Sequence, residues 1–420
     1  MQLSTLINTD RQTNVGKIYF TYLFFMQFLH IIGYNAKGSN IDTFWKASVI
    51  GMVMIYVVIK NKFKLAPHMT TPFVIYIIIN LVAIATKPDY MGGTWATVIV
   101  DVVVISAMVY LFYAFPSNLK DNSYDDLDWY LKAYIIFMIA ATIYNLIKNP
   151  SSVFGFINNK SVYSNMMMSF FDNKQTFGMF ILMAVICSCF QYALTSKKIY
   201  AFLIVYFVAY LFVCLSRTAL LAGVAFLVLA LILSIRYNSK FFIFLTVMGV
   251  IALAAAFLIP QLRNFINNVV LDTDVTIEQR NTIWDTAFKS LIGIHRWVGY
   301  GDGMTTNALR TMHTSKYAHN GIVQVLITGG FIKLFLYALV TFRCLKAILY
   351  IRKFDALLSN LFLATIISIF IYSMGEVIIL YDTTAQSVAA TVLCSGFPIM
   401  FESYFRNKAE SKELAKELQV

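Results

Sequence analysis

Charged residues are scarce in this chain of 420 residues: Lys, Arg, Asp and Glu together make up 13%, against 59% hydrophobic residues. With a mean hydropathy of +0.70, so much apolar surface has no aqueous exterior to occupy, and a water-soluble domain is excluded. No Gly-x-x-x-x-Gly-Lys-[Ser/Thr] run is present, which argues against a nucleotide triphosphate as direct substrate. The five cysteines, Cys187, Cys189, Cys214, Cys344 and Cys394, lie inside apolar runs. Their spacing suits no zinc site, and they read as helix-packing residues. Asp272, Asp274, Asp285 and Asp302 are spaced neither as a paired acid and base nor as a metal site. Neither a metal nor a cofactor is expected. No small-x-small cleavage site follows the first apolar run, 18–34, although Arg11 and Lys17 precede it, so this run reads as a retained helix.

What the chain has in abundance is apolar runs of about 17 to 22 residues, long enough to cross the hydrocarbon core. Beyond 18–34 they lie at 43–59, 72–86, 94–115, 129–147 and 176–194, then at 199–215, 217–235, 241–259, 321–342, 356–375 and 385–403. The expected fold is all-α: a single integral membrane domain over 1–420 with about twelve spans. A long, partly helical loop at 260–320 joins the ninth and tenth spans, and 404–420 forms a tail. The net charge of +12 therefore points to loops that meet anionic lipid headgroups, with no nucleic acid as partner.

Orientation follows from Lys and Arg. With the N-terminus inside, the inner segments hold eighteen: Arg11, Lys17, Lys60, Lys62, Lys64, Lys120, Lys197, Lys198, Arg236, Lys240, Arg343, Lys346, Arg352, Lys353, Arg406, Lys408, Lys412 and Lys416. The short outer loops hold seven: Lys37, Lys46, Lys87, Lys148, Lys160, Lys174 and Arg217. This bias predicts both termini in the cytoplasm and the loop 260–320 outside, the long loop being left out of the count.

Three features on the expected outer face carry chemistry. Leu215-Ser216-Arg217-Thr218 interrupts an almost uncharged stretch and forces a tight hairpin. Ser216 is expected to cap the helix that follows, and Arg217 beside the positive end of that helix makes an anion site; an Arg snorkelling to headgroups is the equal alternative. The second is an amphipathic helix over about 277–294. Trp284, Ala287, Phe288, Leu291 and Ile292 lie on its apolar face, with Glu278, Thr282, Asp285 and Lys289 opposite. Such a helix is expected to lie along the interface or across the top of the bundle. Arg280, four residues before Trp284, is costly there without a partner; an anionic ligand or a cation–π contact with Trp284 would satisfy it, the second being the more ordinary reading. The third is His319-Asn320 at the start of the tenth helix, after Gly299, Gly301 and Gly303 in a turn expected to be flexible. A histidine there can accept a proton from a hydroxyl, although lone histidines are more often surface or capping residues.

Lesser features remain. Asp172-Asn173-Lys174-Gln175 opens the sixth helix on the same face, where Lys174 or Gln175 would touch substrate; a plain solvated loop is the more ordinary reading. Asp101 sits inside the fourth span, with Lys333 as a partner or a structural contact between helices as the alternative.

In identity, order and helix context these residues resemble the O-antigen ligase and polymerase superfamily of bacterial membrane glycosyltransferases. The resemblance covers roughly 173–337: a Ser-Arg element between the seventh and eighth spans, and a long outer loop with an Arg near an aromatic, a Gly-rich turn and a terminal His-Asn. A helix with Gly near its middle follows, here Thr328-Gly329-Gly330. It implies metal-independent transfer of a glycan from a polyprenyl pyrophosphate donor to a hydroxyl on a glycan or lipid acceptor, at the outer face of a bacterial cytoplasmic membrane. Arg217 and Arg280 would hold the pyrophosphate, His319 would be the base, and Asn320, Lys174 and Gln175 would contact substrate. Membrane lipids and other polysaccharide-assembly proteins are further expected partners. Polymerase is preferred over ligase because nothing points to a particular fixed acceptor. A lipid-linked glycan transporter or flippase is the rival of another class, against which stand two unlike halves and polar residues gathered at one surface. The shape-determining peptidoglycan polymerases show no motif match.

Overall fold

The computed structural model describes residues 16–25, 27, 67–86, 95–119, 123–148, 169–171, 173–214, 216–234, 274–301, 318–382 and 384–417, with isolated positions at 48, 51, 150, 243, 247 and 258. All regular structure among them is helical. Residues 16–25 are helical. There follow α1 (Pro67–Ala85), α2 (Trp95–Val109, running into a π-helical turn at Tyr110–Ala114), α3 (Ser123–Lys148), α4 (Lys174–Thr195), α5 (Lys198–Val213) and α6 (Arg217–Ser234). The second half holds α7 (Asp274–Ser290), the short α8 (His295–Val298), α9 (Gly321–Ile351) and α10 (Ala356–Ser373). The chain ends on α11 (Ala385–Thr391) and α12 (Phe397–Glu417), joined through a π-helical turn at Val392–Gly396.

Six of these are long and apolar enough to cross a membrane: α3, α4, α6, α9, α10 and the joined α11 and α12. α1, α2 and α5 contain shorter apolar stretches. The expected spans 43–59 and 241–259 lie outside the described residues but for isolated positions. α9 runs nine residues past the expected end at 342. Its far turns are held by polar contacts, where Arg343 pairs with Glu402 at 2.7 Å and Arg406 pairs with the same carboxylate at 2.8 Å. The expected tail from 404 is likewise helical to Glu417.

α4 is the axis of the bundle. Every residue from Thr176 to Gln191 is buried, and α3, α5, α6, α10 and α11 pack around it. A helix apolar on all sides belongs where protein surrounds it. All five cysteines join the main buried core around this helix, and all five are free.

α9 is broken rather than continuous. Gly330 adopts φ +62 and ψ −162 inside it, and Gly299 takes nearly the same conformation, φ +65 and ψ −154. The two glycines interlock: a Cβ on Gly299 would strike the backbone of Ile327 to Gly329, and one on Gly330 that of Trp297 and Val298. The N–H groups of Tyr300 and Gly301 then donate to the Ile327 and Thr328 carbonyls at 2.9 and 2.8 Å, replacing bonds lost at the break. Backbone irregularity within a membrane is tolerated where protein satisfies it in this way. The glycine turn expected to be flexible is thus fixed for Gly299, Tyr300 and Gly301, all buried; Gly303 lies outside the described residues. The Tyr300 ring stacks on His295 at 4.5 Å, and its hydroxyl donates to the Ser290 carbonyl at 2.8 Å. Gly299→Ala and Gly330→Ala are each expected to cost about 1–3 kcal/mol through positive φ and backbone collision, read as lower thermal stability in detergent.

A small core docks α7 on the bundle. Ala287, Tyr300, Ala318, Val323, Ile327 and Ile84 are buried together, with Trp284 and Leu291 partly buried against them. Phe288 and Ile292, expected on the same face, are 53% and 71% exposed. Phe288 lies about 100° round the helix from the buried Ala287, and Ile292 follows the end of the helix at Ser290.

Candidate functional site

Five segments meet at one end of the bundle: the starts of α4, α6 and α9, the first half of α7, and the connector that follows α10. At the start of α4, the Asn173 side chain accepts the Thr176 N–H at 2.7 Å, a regular N-cap. Lys174 stands within electrostatic reach of both Arg217 and Glu376, so the solvated-loop reading gives way to a capped helix start. Gln175 offers its backbone carbonyl to the Tyr372 hydroxyl at 2.9 Å, tying α4 to the end of α10.

α6 begins with Arg217. The Ser216 carbonyl accepts the Leu220 N–H at 2.9 Å, but its hydroxyl is buried without a hydrogen-bond partner, so the expected side-chain cap is not formed. Ser216 instead packs where a side chain on Gly178 would stand, at 2.5 Å. Thr218 similarly fills the space beside Gly375, at 2.7 and 2.8 Å. That contact brings the start of α6 against the residue preceding Glu376.

Glu376 is the hub of the cluster. Its Oε1 lies 3.4 Å from Arg280 Nη2, and its Oε2 lies 3.4 Å from His319 Nδ1. The carboxylate side chain is 15% exposed, Arg280 26% and His319 36%. Such partly shielded charges are screened less than surface pairs. Arg280 thus pairs with Glu376, while the Trp284 indole N–H is spent on the Ala318 carbonyl at 2.8 Å. A carboxylate partner replaces the cation–π contact entertained from sequence.

His319 has φ +49, a left-handed conformation uncommon outside glycine but less so for His, Asn and Asp. Its neighbours fix it. Ala318 is held by Trp284 and, through its own N–H, by Gln324 Oε1 at 3.3 Å. Asn320 Oδ1 accepts the Ile322 and Val323 N–H groups at 2.9 and 3.2 Å, and its Nδ2 donates to the Met374 carbonyl at 3.1 Å. Asn320 is therefore buried and committed to capping α9 and tying it to the segment that carries Glu376. Asn320→Ala should cost about 1–2 kcal/mol from the cap alone, read as a lower melting temperature in detergent.

The structure thus gathers Arg280 and His319 on one carboxylate, with Lys174 within electrostatic reach of it and of Arg217, and with Asn320 and Gln175 as internal ties. Two guanidiniums and an ammonium near helix N-termini suit an anionic ligand. Lys333 lies apart, donating to Thr328 Oγ1 at 3.1 Å and resting over the Tyr76 ring at 5.5 Å; the Asp101 side chain, Asp172, Asp272 and Asp302 lie outside what is described. Glu376 was the residue that sequence reasoning missed. The available signal was a charge in the short stretch between two apolar runs, where Glu376 and Asp382 are the acidic pair.

An all-helical bundle with membrane-length apolar helices and a polar, cation-rich site at one end defines a multi-pass membrane protein. Residues 199–338, about a third of the chain, match the family model described as O-antigen ligase, and the match supports the O-antigen ligase and polymerase superfamily, enzymes of the glycosyltransferase kind. The matched segment contains Arg217, Arg280, His319 and Asn320 and leaves out Lys174, Gln175 and Glu376. No curated protein matches the chain.

Proposed function

We propose that this protein is a polysaccharide polymerase that transfers a polyprenyl-pyrophosphate-linked oligosaccharide to a hydroxyl of a glycan acceptor at the outer face of a bacterial cytoplasmic membrane. The observation that carries the reading is the gathering of His319 and Arg280 on one carboxylate with Lys174 and Arg217 close by, Arg217, Arg280 and His319 lying within the O-antigen ligase segment. In the proposed step the acceptor oxygen attacks the anomeric carbon of the donor sugar. The bond from that carbon to the pyrophosphate oxygen breaks, the leaving pyrophosphate keeps the electron pair, and His319 takes the acceptor's proton. Negative charge grows on the pyrophosphate as the bond breaks, so guanidiniums fixed beside it lower the barrier.

The test uses purified full-length protein in proteoliposomes with labelled oligosaccharide on undecaprenyl pyrophosphate. Lengthened lipid-linked glycan supports the polymerase. Transfer only to a separate lipid or protein acceptor identifies a ligase, and movement of the donor across the bilayer without transfer overturns the enzymatic reading. Since cationic side chains do the work, transfer is expected to proceed at an unchanged rate in excess EDTA. A deletion strain that retains single repeat units on its surface acceptor would match a lost polymerase, whereas long lipid-linked chains without display would match a lost ligase.

A further inference from the structure

Resting on that reading, we propose that Glu376 is a positioning residue with two duties: it selects which nitrogen of His319 acts as base, and it occupies Arg280 until the donor arrives. The first duty follows from the side of the ring that Glu376 faces. With Nδ1 towards a carboxylate, a neutral imidazole carries its proton on Nδ1 and leaves the Nε2 lone pair for the acceptor hydroxyl. The contact is 3.4 Å, long for a hydrogen bond, as catalytic contacts commonly are before substrate binds. Glu376 is fixed well enough to hold this arrangement. Gly375 is wedged against Thr218, Ser373 Oγ donates to the Ile378 carbonyl at 2.8 Å, and the Glu376 N–H donates to the Tyr372 carbonyl at 3.0 Å.

The second duty follows from charge. Arg280 Nη2 meets Oε1 while His319 meets Oε2, and Lys174 also feels the Glu376 charge. An incoming pyrophosphate competes for the same cations and is repelled by the same carboxylate. Donor binding therefore draws Arg280 from Oε1 to phosphate oxygen and leaves Glu376 to His319 alone.

The two duties predict opposite signs for one substitution. Glu376→Gln removes the competing charge, so undecaprenyl pyrophosphate is expected to bind about tenfold more tightly, the scale of one charge-assisted contact. The same substitution leaves the His319 tautomer unset, and transfer slows by about a hundredfold or more, by analogy with a misoriented catalytic histidine. Donor KM falls together with kcat. Damage to structure alone would weaken binding. Glu376→Asp keeps the charge and is expected to keep wild-type affinity with an intermediate rate. Unchanged or weaker binding in Glu376→Gln, or a wild-type rate, overturns the proposal. Should that variant not fold, ¹⁵N-histidine NMR of the wild type decides, with the His319 signal assigned by its loss in His319→Ala: an Nδ1–H tautomer supports the role, and an Nε2–H tautomer overturns it. Wild-type protein that neither binds undecaprenyl pyrophosphate nor transfers glycan would sink the functional reading itself. Wild-type protein that does both, beside an indistinguishable Glu376→Gln, sinks only the role of Glu376.

Discussion

His319→Ala is expected to reduce glycan transfer by about 10²–10⁴-fold, the range assigned to a positioned general base, while protein level and membrane insertion stay normal. The expectation rests on where the ring stands: at the start of α9, 36% exposed, with Nδ1 towards Glu376. Donor affinity should change little, because in the proposed step His319 meets the acceptor hydroxyl and the cations meet the pyrophosphate. One complication is the backbone. Alanine at φ +49 carries a left-handed conformation less easily than histidine, which could lower stability by about 1–2 kcal/mol. His319→Asn removes that ambiguity, since asparagine tolerates this region of φ but provides no base. Both variants should be inactive, and the Asn variant should melt as the wild type does. Full activity in either folded variant would sink the assignment of His319.

The architecture was largely legible in the amino-acid order because apolar length alone sets a membrane helix. The run 176–194 reads directly as a span, and it becomes α4, the buried axis. Arg217, Arg280 and His319 were legible because each breaks an apolar pattern or lies beside one. Lys174 stood in a polar stretch that could equally have been a loop; what decides its place is the Asn173 cap and the charges of Arg217 and Glu376, brought in from distant segments. Glu376 was illegible as a site residue for the same reason. Its two partners lie 96 and 57 positions away, and no local periodicity encodes such a meeting. Ser216 failed in the opposite sense, since its residue type fits a cap but close packing at Gly178 buries its hydroxyl without a partner. The glycines show the limit of composition: Gly299 reads as freedom in sequence, yet its missing Cβ allows tight backbone contact with the break at Gly330.

Arg280→Ala is expected to lower transfer by about 10²–10³-fold, comparable to removing one preorganised donor to a developing anion, and to weaken undecaprenyl pyrophosphate binding as well. The binding loss should exceed what one missing contact gives, because the substitution strands Glu376. That carboxylate, 15% exposed, would face the incoming pyrophosphate with one cation fewer beside it. Arg280→Lys keeps a charge but loses the planar fork, so it should recover binding better than rate. The stranded charge can be removed in turn. In the double variant Arg280→Ala with Glu376→Gln, donor affinity should rise above that of Arg280→Ala alone, whereas the transfer rate should not recover, since the leaving-group cation and the partner of His319 are both gone. A double-mutant cycle on affinity therefore gives a coupling of about 0.5–3 kcal/mol, the range for residues in direct contact. Additive effects would mean that Arg280 and Glu376 act independently and that the 3.4 Å pair has no part in admitting the donor.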